Sequence, residues 1–179
     1  QGCRTRTIAE HSLKGLMGKA NMITLGEHSL SLEEIAKVAR HEESVSLGEK
    51  AIRLIHDSNQ RLDKILHSDI PVYGINTGFG IFADQRIPLK DSSKLSRNII
   101  LSHAVATGPT LPAEVTRAAM LVRASTLAQG FSGVRMEVVS TLLEMLNKGV
   151  TPIVPSQGSL GSSGDLSLLS HMALVFTTD

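Results

Sequence analysis

The 179-residue chain is 41% hydrophobic, enough for one domain with a sizeable core, and its formal net charge is +1. Scattered lysines and arginines, one tyrosine and no tryptophan leave neither a basic patch nor stacking rings, which excludes a nucleic-acid or anionic-membrane surface. The single cysteine, Cys3, excludes an internal disulfide framework and fits a reducing compartment.

Residues Gln1 to Asn21 have weak periodicity and read as a mobile extension, without the continuous apolar stretch of a secretory signal. Met22 to Leu25 predicts a short strand closed by Gly26 and Glu27. Ser31 with Glu34 makes a capping-box pattern ahead of Ile35 and Val38, so a short helix starts there. Ser46 with Glu49 repeats the pattern and predicts a longer helix with Ile52, Ile55, Leu62 and Ile65 on its apolar side. Pro71 to Gly80 is glycine-rich and reads as a loop. Helical character returns near Asp91 and runs through Ile99 towards His103. Further helices are predicted from Pro112 to Gly130 and from Val134 to Lys148, the latter stopped by Gly149. Thr151 to Asp165 is rich in Pro, Ser and Gly, and helical periodicity resumes from Leu166 to Thr177.

The expected fold is therefore mainly α, with long loops around Tyr73 and Ser163 and at most short strands. The last helix runs apolar to Asp179 with no cap or polar tail, so the ending is expected to be a cut inside a larger domain. No apolar run approaches the ~20 residues of a membrane helix, and a soluble cytoplasmic protein is the default expectation.

Gly158-Ser-Leu-Gly-Ser-Ser-Gly-Asp165 stands directly before a helix, where free backbone N–H groups could hold an anion. A Walker-type phosphate loop needs a lysine beside the last glycine; here Asp165 would repel a phosphate. Read alone, the stretch fits an ordinary Gly/Ser turn at least as well. Tyr73 alone would be a packing residue, and His103, after Ile99 to Leu101, a core or interface histidine. The remaining histidines (11, 28, 41, 56, 67 and 171) lack metal-ligand spacing, so no metal is expected, and most read as solvated. Phe79 and Phe82 read as packing the glycine loop; Arg86, Arg97, Arg123 and Arg135 read as surface or interface charges.

Taken together, four stretches resemble the aromatic amino-acid lyase family, which includes histidine, phenylalanine and tyrosine ammonia-lyases and related aminomutases. They are Tyr73-Gly-Ile-Asn-Thr-Gly-Phe-Gly80, Asn98-Ile-Ile-Leu-Ser-His-Ala104, Gly130-Phe-Ser-Gly-Val-Arg135, and Gly158 through Leu166 continuing to Ser170-His-Met-Ala-Leu174. Their order and spacing also match, and the resemblance covers Met22 to Asp179. It implies the N-terminal portion of a lyase fold built on a helical bundle.

The resemblance further implies that Ser162, Ser163 and Gly164 cyclise to 4-methylidene-imidazol-5-one (MIO), with no metal or external cofactor. The Gly164 nitrogen must reach the Ser162 carbonyl carbon, an approach that a missing Cβ permits. Ser163 then loses water and leaves an electrophilic alkene, next to a helix N-terminus suited to developing negative charge. Tyr73 matches the family's base for the substrate β-proton. A phenol is ordinarily protonated near neutrality, so such a base needs positive charge or hydrogen bonds around it. Ser102-His103 matches the pair that selects substrate: Ser-His is typical of histidine lyases, His-Leu of tyrosine lyases and Phe-Leu of phenylalanine lyases. Asn76 is expected to line the pocket, and His171 to pack behind the electrophile.

The implied reaction is L-histidine to trans-urocanate and ammonia, in a homotetramer whose active sites form where subunits meet. The alternatives are a tyrosine or phenylalanine lyase or aminomutase on the same scaffold, or an inactive fragment that keeps the motifs. Three features depart from the family pattern: Ser162 replaces the usual alanine, Leu168 replaces a near-universal proline, and the chain is far shorter than active members.

Overall fold

The computed structural model describes residues 22–159 and 165–176. The expected extension, residues 1–21, and the triad Ser162, Ser163 and Gly164 lie outside the described residues.

Strand β1 (Ile23–Leu25) pairs in parallel with β2 (Val45–Leu47), and α1 (Leu32–His41) forms the crossover between them. The Ser31–Glu34 box forms in full: the Glu34 N–H donates to Ser31 Oγ at 3.2 Å, and the Ser31 N–H donates to the Glu34 carboxylate at 2.9 Å. The matching box expected at Ser46 and Glu49 does not form. Helix α2 (Glu49–Leu66) is capped by Gly48 with no side-chain bond, while Ser46 lies in β2 with its hydroxyl 3.3 Å from that of Thr24. Strand pairing claimed the residues that would have built the cap. The apolar side of α2 is also rotated from the expectation. Ala51, Ile55 and Ser58 are buried, whereas Ile52 is exposed.

Helices α3 (Ser92–His103), α4 (Ala113–Ala128), α5 (Met136–Asn147) and α6 (Leu166–Ala173) follow. Pro112 is the N-cap of α4 rather than its first helical residue. Helix α5 closes on Gly149 as the sequence predicts: the Val150 N–H donates to Met145 O at 2.8 Å and the Gly149 N–H to Leu146 O at 3.3 Å, the paired bonds of a Schellman motif. A second, antiparallel pair joins β3 (Thr107–Thr110) to β4 (Pro155–Gln157). The fold is mainly α, as expected.

Helix α4 is the centre of the core. It packs on α1, α2 and α5 and buries Met120, Leu121, Ala124, Leu127 and Ala128. Its buried Arg117 donates to Val38 O (2.9 and 3.3 Å) and to Leu146 O (3.2 Å), so one guanidinium serves the C-terminal carbonyls of both α1 and α5. Asn147 makes a comparable tie, its amide exchanging two bonds with the backbone of Val45 as a neighbouring strand would. Against this packed half lies a second one, in which α3 packs on α6 and β4 leans on α6.

Candidate functional site

The first piece of the site is the loop that carries Tyr73. Gly74 and Gly80 take positive φ (72° and 57°), and the loop closes on itself: the Gly80 N–H donates to Tyr73 Oη at 3.3 Å. Phe79 packs edge-on against the Tyr73 ring, with centroids 5.7 Å apart, which is the packing role expected of it. Tyr73 is 61% exposed, so the phenol is presented outwards on a braced loop.

Asn76 is placed differently from a pocket-lining group. It is buried, and its amide is engaged within the loop. Oδ1 accepts the Val72 N–H at 2.7 Å, and Nδ2 donates to Ile70 O at 2.9 Å and more weakly to Ile65 O at 3.5 Å. Its backbone carbonyl accepts the Ile87 N–H at 2.9 Å. Arg86, expected to be a surface charge, ties the stem: Nη1 donates to Asp69 O at 3.1 Å and to its carboxylate at 3.2 Å, and Nη2 donates to Ser68 O. A lone arginine beyond a glycine loop carries no local signal of that job.

The second piece is the end of α3. Ser102 Oγ donates to Ile99 O at 3.0 Å and lies 3.1 Å from His103 Nδ1. His103 Nδ1 is 2.9 Å from Ile99 O. A carbonyl can only accept, so Nδ1 carries a proton and the neutral ring keeps its lone pair on Nε2. Ser102 is exposed and His103 half-buried.

The third piece is the junction on either side of the triad. A Cβ on Gly158 would come within 2.7 Å of Ala106 Cβ and 2.9 Å of Ser167 Oγ, so only glycine fits there. Ser167 is buried and its hydroxyl has no hydrogen-bond partner among the described residues. One turn further along α6, His171 Nε2 accepts the Ala106 N–H at 3.0 Å. Leu168, in the first turn of α6, packs its side chain against the hydrophobic core.

A cavity of about 670 Å³ connects the first two pieces: Gly74 and Ile75 of the loop face Ser92, Ser96, Arg97 and Ile100 of α3 across it. Tyr73, Asn76, Ser102 and His103 do not line it, so this cavity joins their elements without gathering those side chains. Among the described residues, no three His, Cys, Asp or Glu side chains form a metal-holding group, and no helix is long and apolar enough to cross a membrane.

The sequence profile of the family described as aromatic amino acid lyase matches residues 30–178. A histidine ammonia-lyase from Myxococcus xanthus is 48% identical over 154 residues, covering 86% of this chain and 30% of that protein. Among solved structures, histidine ammonia-lyase from Trypanosoma cruzi is similar with a TM-score of 0.77 at 32% identity, over 86% of this chain and 29% of that one. Tyrosine aminomutase from Streptomyces globisporus gives a TM-score of 0.77 at 31% identity, over 84% and 28%. The chain thus spans about 30% of the length of the curated relative it matches.

Proposed function

The chain belongs to the aromatic amino acid lyase family, and on that premise we propose that the whole protein is a histidine ammonia-lyase, converting L-histidine to trans-urocanate and ammonia. The observation that carries this reading is the 48% identity to a histidine ammonia-lyase. The geometry of His103 supports it independently. With Nδ1–H held by Ile99 O, Nε2 is an acceptor suited to an imidazole N–H of the substrate. A site built to pair such a group rejects side chains that lack it.

An MIO ring formed from Ser162, Ser163 and Gly164 would supply the electrophile that receives the substrate amine. The flanking residues fit such a group: Gly158 permits the close approach of three chain segments, and α6 begins just beyond the triad, its first-turn N–H groups favouring negative charge. Tyr73 would take the β-proton. Its loop is braced by Asn76, Arg86 and Phe79, which keeps the phenol from moving with solvent, and a positioned base is worth about 10²–10⁴ in rate. Asn76 thus contributes through the loop. Ser102 holds the last turn of α3, and His103 reads the substrate ring.

The exposed Tyr73, Ile81, Phe82 and Leu89 fit an active site completed by further chain, in a cytoplasmic homotetramer whose subunits share their sites. A second reading, an aminomutase or a lyase for tyrosine or phenylalanine, draws on the likeness to tyrosine aminomutase.

The test is ultraviolet detection of urocanate from L-histidine with the whole protein, beside Ser163→Ala and beside tyrosine and phenylalanine as substrates. Urocanate that vanishes in the variant supports both the reaction and the electrophile. Product from tyrosine or phenylalanine alone favours the second reading. An intact mass without the loss of two waters, together with no product from any of the three, marks a chain that keeps the motifs without the chemistry.

A further inference from the structure

We propose that His171 is a positioning residue: by accepting the Ala106 N–H it fixes the end of α3 that carries Ser102 and His103 relative to the helix that follows the triad. The proposal rests on the reading of Ser102-His103 as the pair that recognises substrate.

The backbone after His103 shows why a clip is needed. The Ala104 N–H still reaches back to Ile100 O at 3.0 Å, as the last bond of α3. Ala104 then has φ −78° and ψ 61°, and the Val105 N–H donates to His103 O at 2.8 Å; together these make an inverse γ-turn. That turn throws the chain off the helix axis. The next donor, the Ala106 N–H, goes to His171 Nε2 at 3.0 Å, 65 residues away. An amide N–H only donates, so His171 is the tautomer with its lone pair on Nε2 and its proton on Nδ1.

The same point is crowded from another side. Gly158, just beyond β4, sits so close to Ala106 and Ser167 that it has no room for a Cβ. Three segments therefore meet there: the exit of α3, the exit of β4 and the first turn of α6. His171 lies on α6 one turn after Ser167 and supplies the directional bond among these contacts. His103 depends on that bond indirectly, because its own anchor, Ile99 O, lies within the last turn of α3. If Ala106 loses its acceptor, the γ-turn and that last turn keep their local bonds and only the Thr107–Gln157 pairing beyond them. The imidazole then loses its fixed direction, which weakens substrate binding and leaves the reacting groups intact.

The experiment compares wild-type whole protein with His171→Phe, which removes the acceptor, and His171→Gln, which restores one on a carbonyl oxygen. KM and kcat for L-histidine, intact mass, and hydrogen exchange at the Ala106 amide are read for each. His171→Phe should raise KM about fivefold, the equivalent of one ordinary intramolecular hydrogen bond. It should leave kcat and the mass loss of two waters unchanged and speed Ala106 exchange by a similar factor, and His171→Gln should reverse both effects. An unchanged KM overturns the proposal, as does a fall in kcat alone. If His171→Phe fails to fold, the wild-type Ala106 amide decides: protection supports the clip, and exchange at the rate of an unstructured amide overturns it. Absence of urocanate from the wild type would sink the histidine reading, while the exchange measurement would still judge the clip.

Discussion

Replacing Arg117 by methionine tests whether the core of this chain relies on a buried cation. Arg117 is 3% exposed, and its guanidinium bonds the carbonyls of Val38 and Leu146. Helix α1 does not serve the Val38 carbonyl itself, because the Glu42 N–H that would reach it turns to Lys37 O instead. Methionine matches the aliphatic stem well enough that the cavity term stays small. The contest is then between two effects. Removing the charge relieves a desolvation penalty of several kcal/mol. Against that, charge-assisted bonds are worth about 1.5–3 kcal/mol each, and each buried carbonyl left unpaired costs about 1–3 kcal/mol. Val38 O is left without a partner and Leu146 O keeps only the long Gly149 N–H bond, so the lost bonds outweigh the relief and the expected net loss is about 2–4 kcal/mol. Urea unfolding should show a lower midpoint at unchanged slope. A variant within about 0.5 kcal/mol of wild type, or more stable than it, would refute the reasoning and show that the buried charge costs as much as its bonds return.

Three further predictions rest on separate features. Asn76→Ala should cost about 2–4 kcal/mol, since it strips the acceptor from Val72 N–H and the donor from Ile70 O, and the loss should register as fast exchange confined to residues near 70–80; unchanged protection there would return Asn76 to a pocket role. The Ser31 backbone N–H, the His28 ring and the Ser31 hydroxyl hold the Glu34 carboxyl down at about 2. Because that value lies below the ordinary carboxylate range, the capping contribution is complete above about pH 4.3, and it fades as the pH falls towards 2. A pH titration of α1 amide protection should show this, and Glu34→Gln, which keeps an acceptor but does not titrate, should flatten it. Finally, α4, with seven buried residues, should exchange its amides only on global unfolding, whereas α3, with none, should exchange by local opening in the 179-residue chain; equal protection of the two helices would contradict this.

What the sequence made legible was local. The Ser31–Glu34 box, the Gly149 stop and the glycine loop at Tyr73 each depend on residues within a turn of one another, and all three formed. The Ser46–Glu49 pattern is identical in type and failed, because Val45–Leu47 found a partner strand more than twenty residues upstream. Arg86 reads as a surface or interface charge and Arg117 carries no signal of its own, since nothing near them in sequence names the carbonyls they serve, 79 and 29 residues away for Arg117 and 17–18 for Arg86. The candidate site residues stand out through their motifs, but their geometry is not legible there. Asn76 turned inward to its own loop, and the junction of Gly158, Ala106, Ser167 and His171 joins segments whose pairing no spacing rule predicts.

The two halves of the chain are held by different forces, and that difference bears on function. The core half is fixed by apolar packing around α4, where small displacements are resisted by many neighbours at once. The half that carries the candidate site has little such packing: α3 buries no residue fully, and every residue of β3 is exposed. Its placement rests on discrete bonds, namely the Thr107 and Thr110 pairings to β4, the Asn76 latch, the Arg86 tie and the His171 clip. A single bond of this kind is worth about 1 kcal/mol, and a tie of two such as Asn76 more, but each sets where one functional group sits. Substitutions in the core half should therefore change how much protein is folded, and substitutions at these ties how well the folded protein binds. A half so lightly packed also leaves apolar side chains such as Ile81, Phe82 and Leu89 open on this chain.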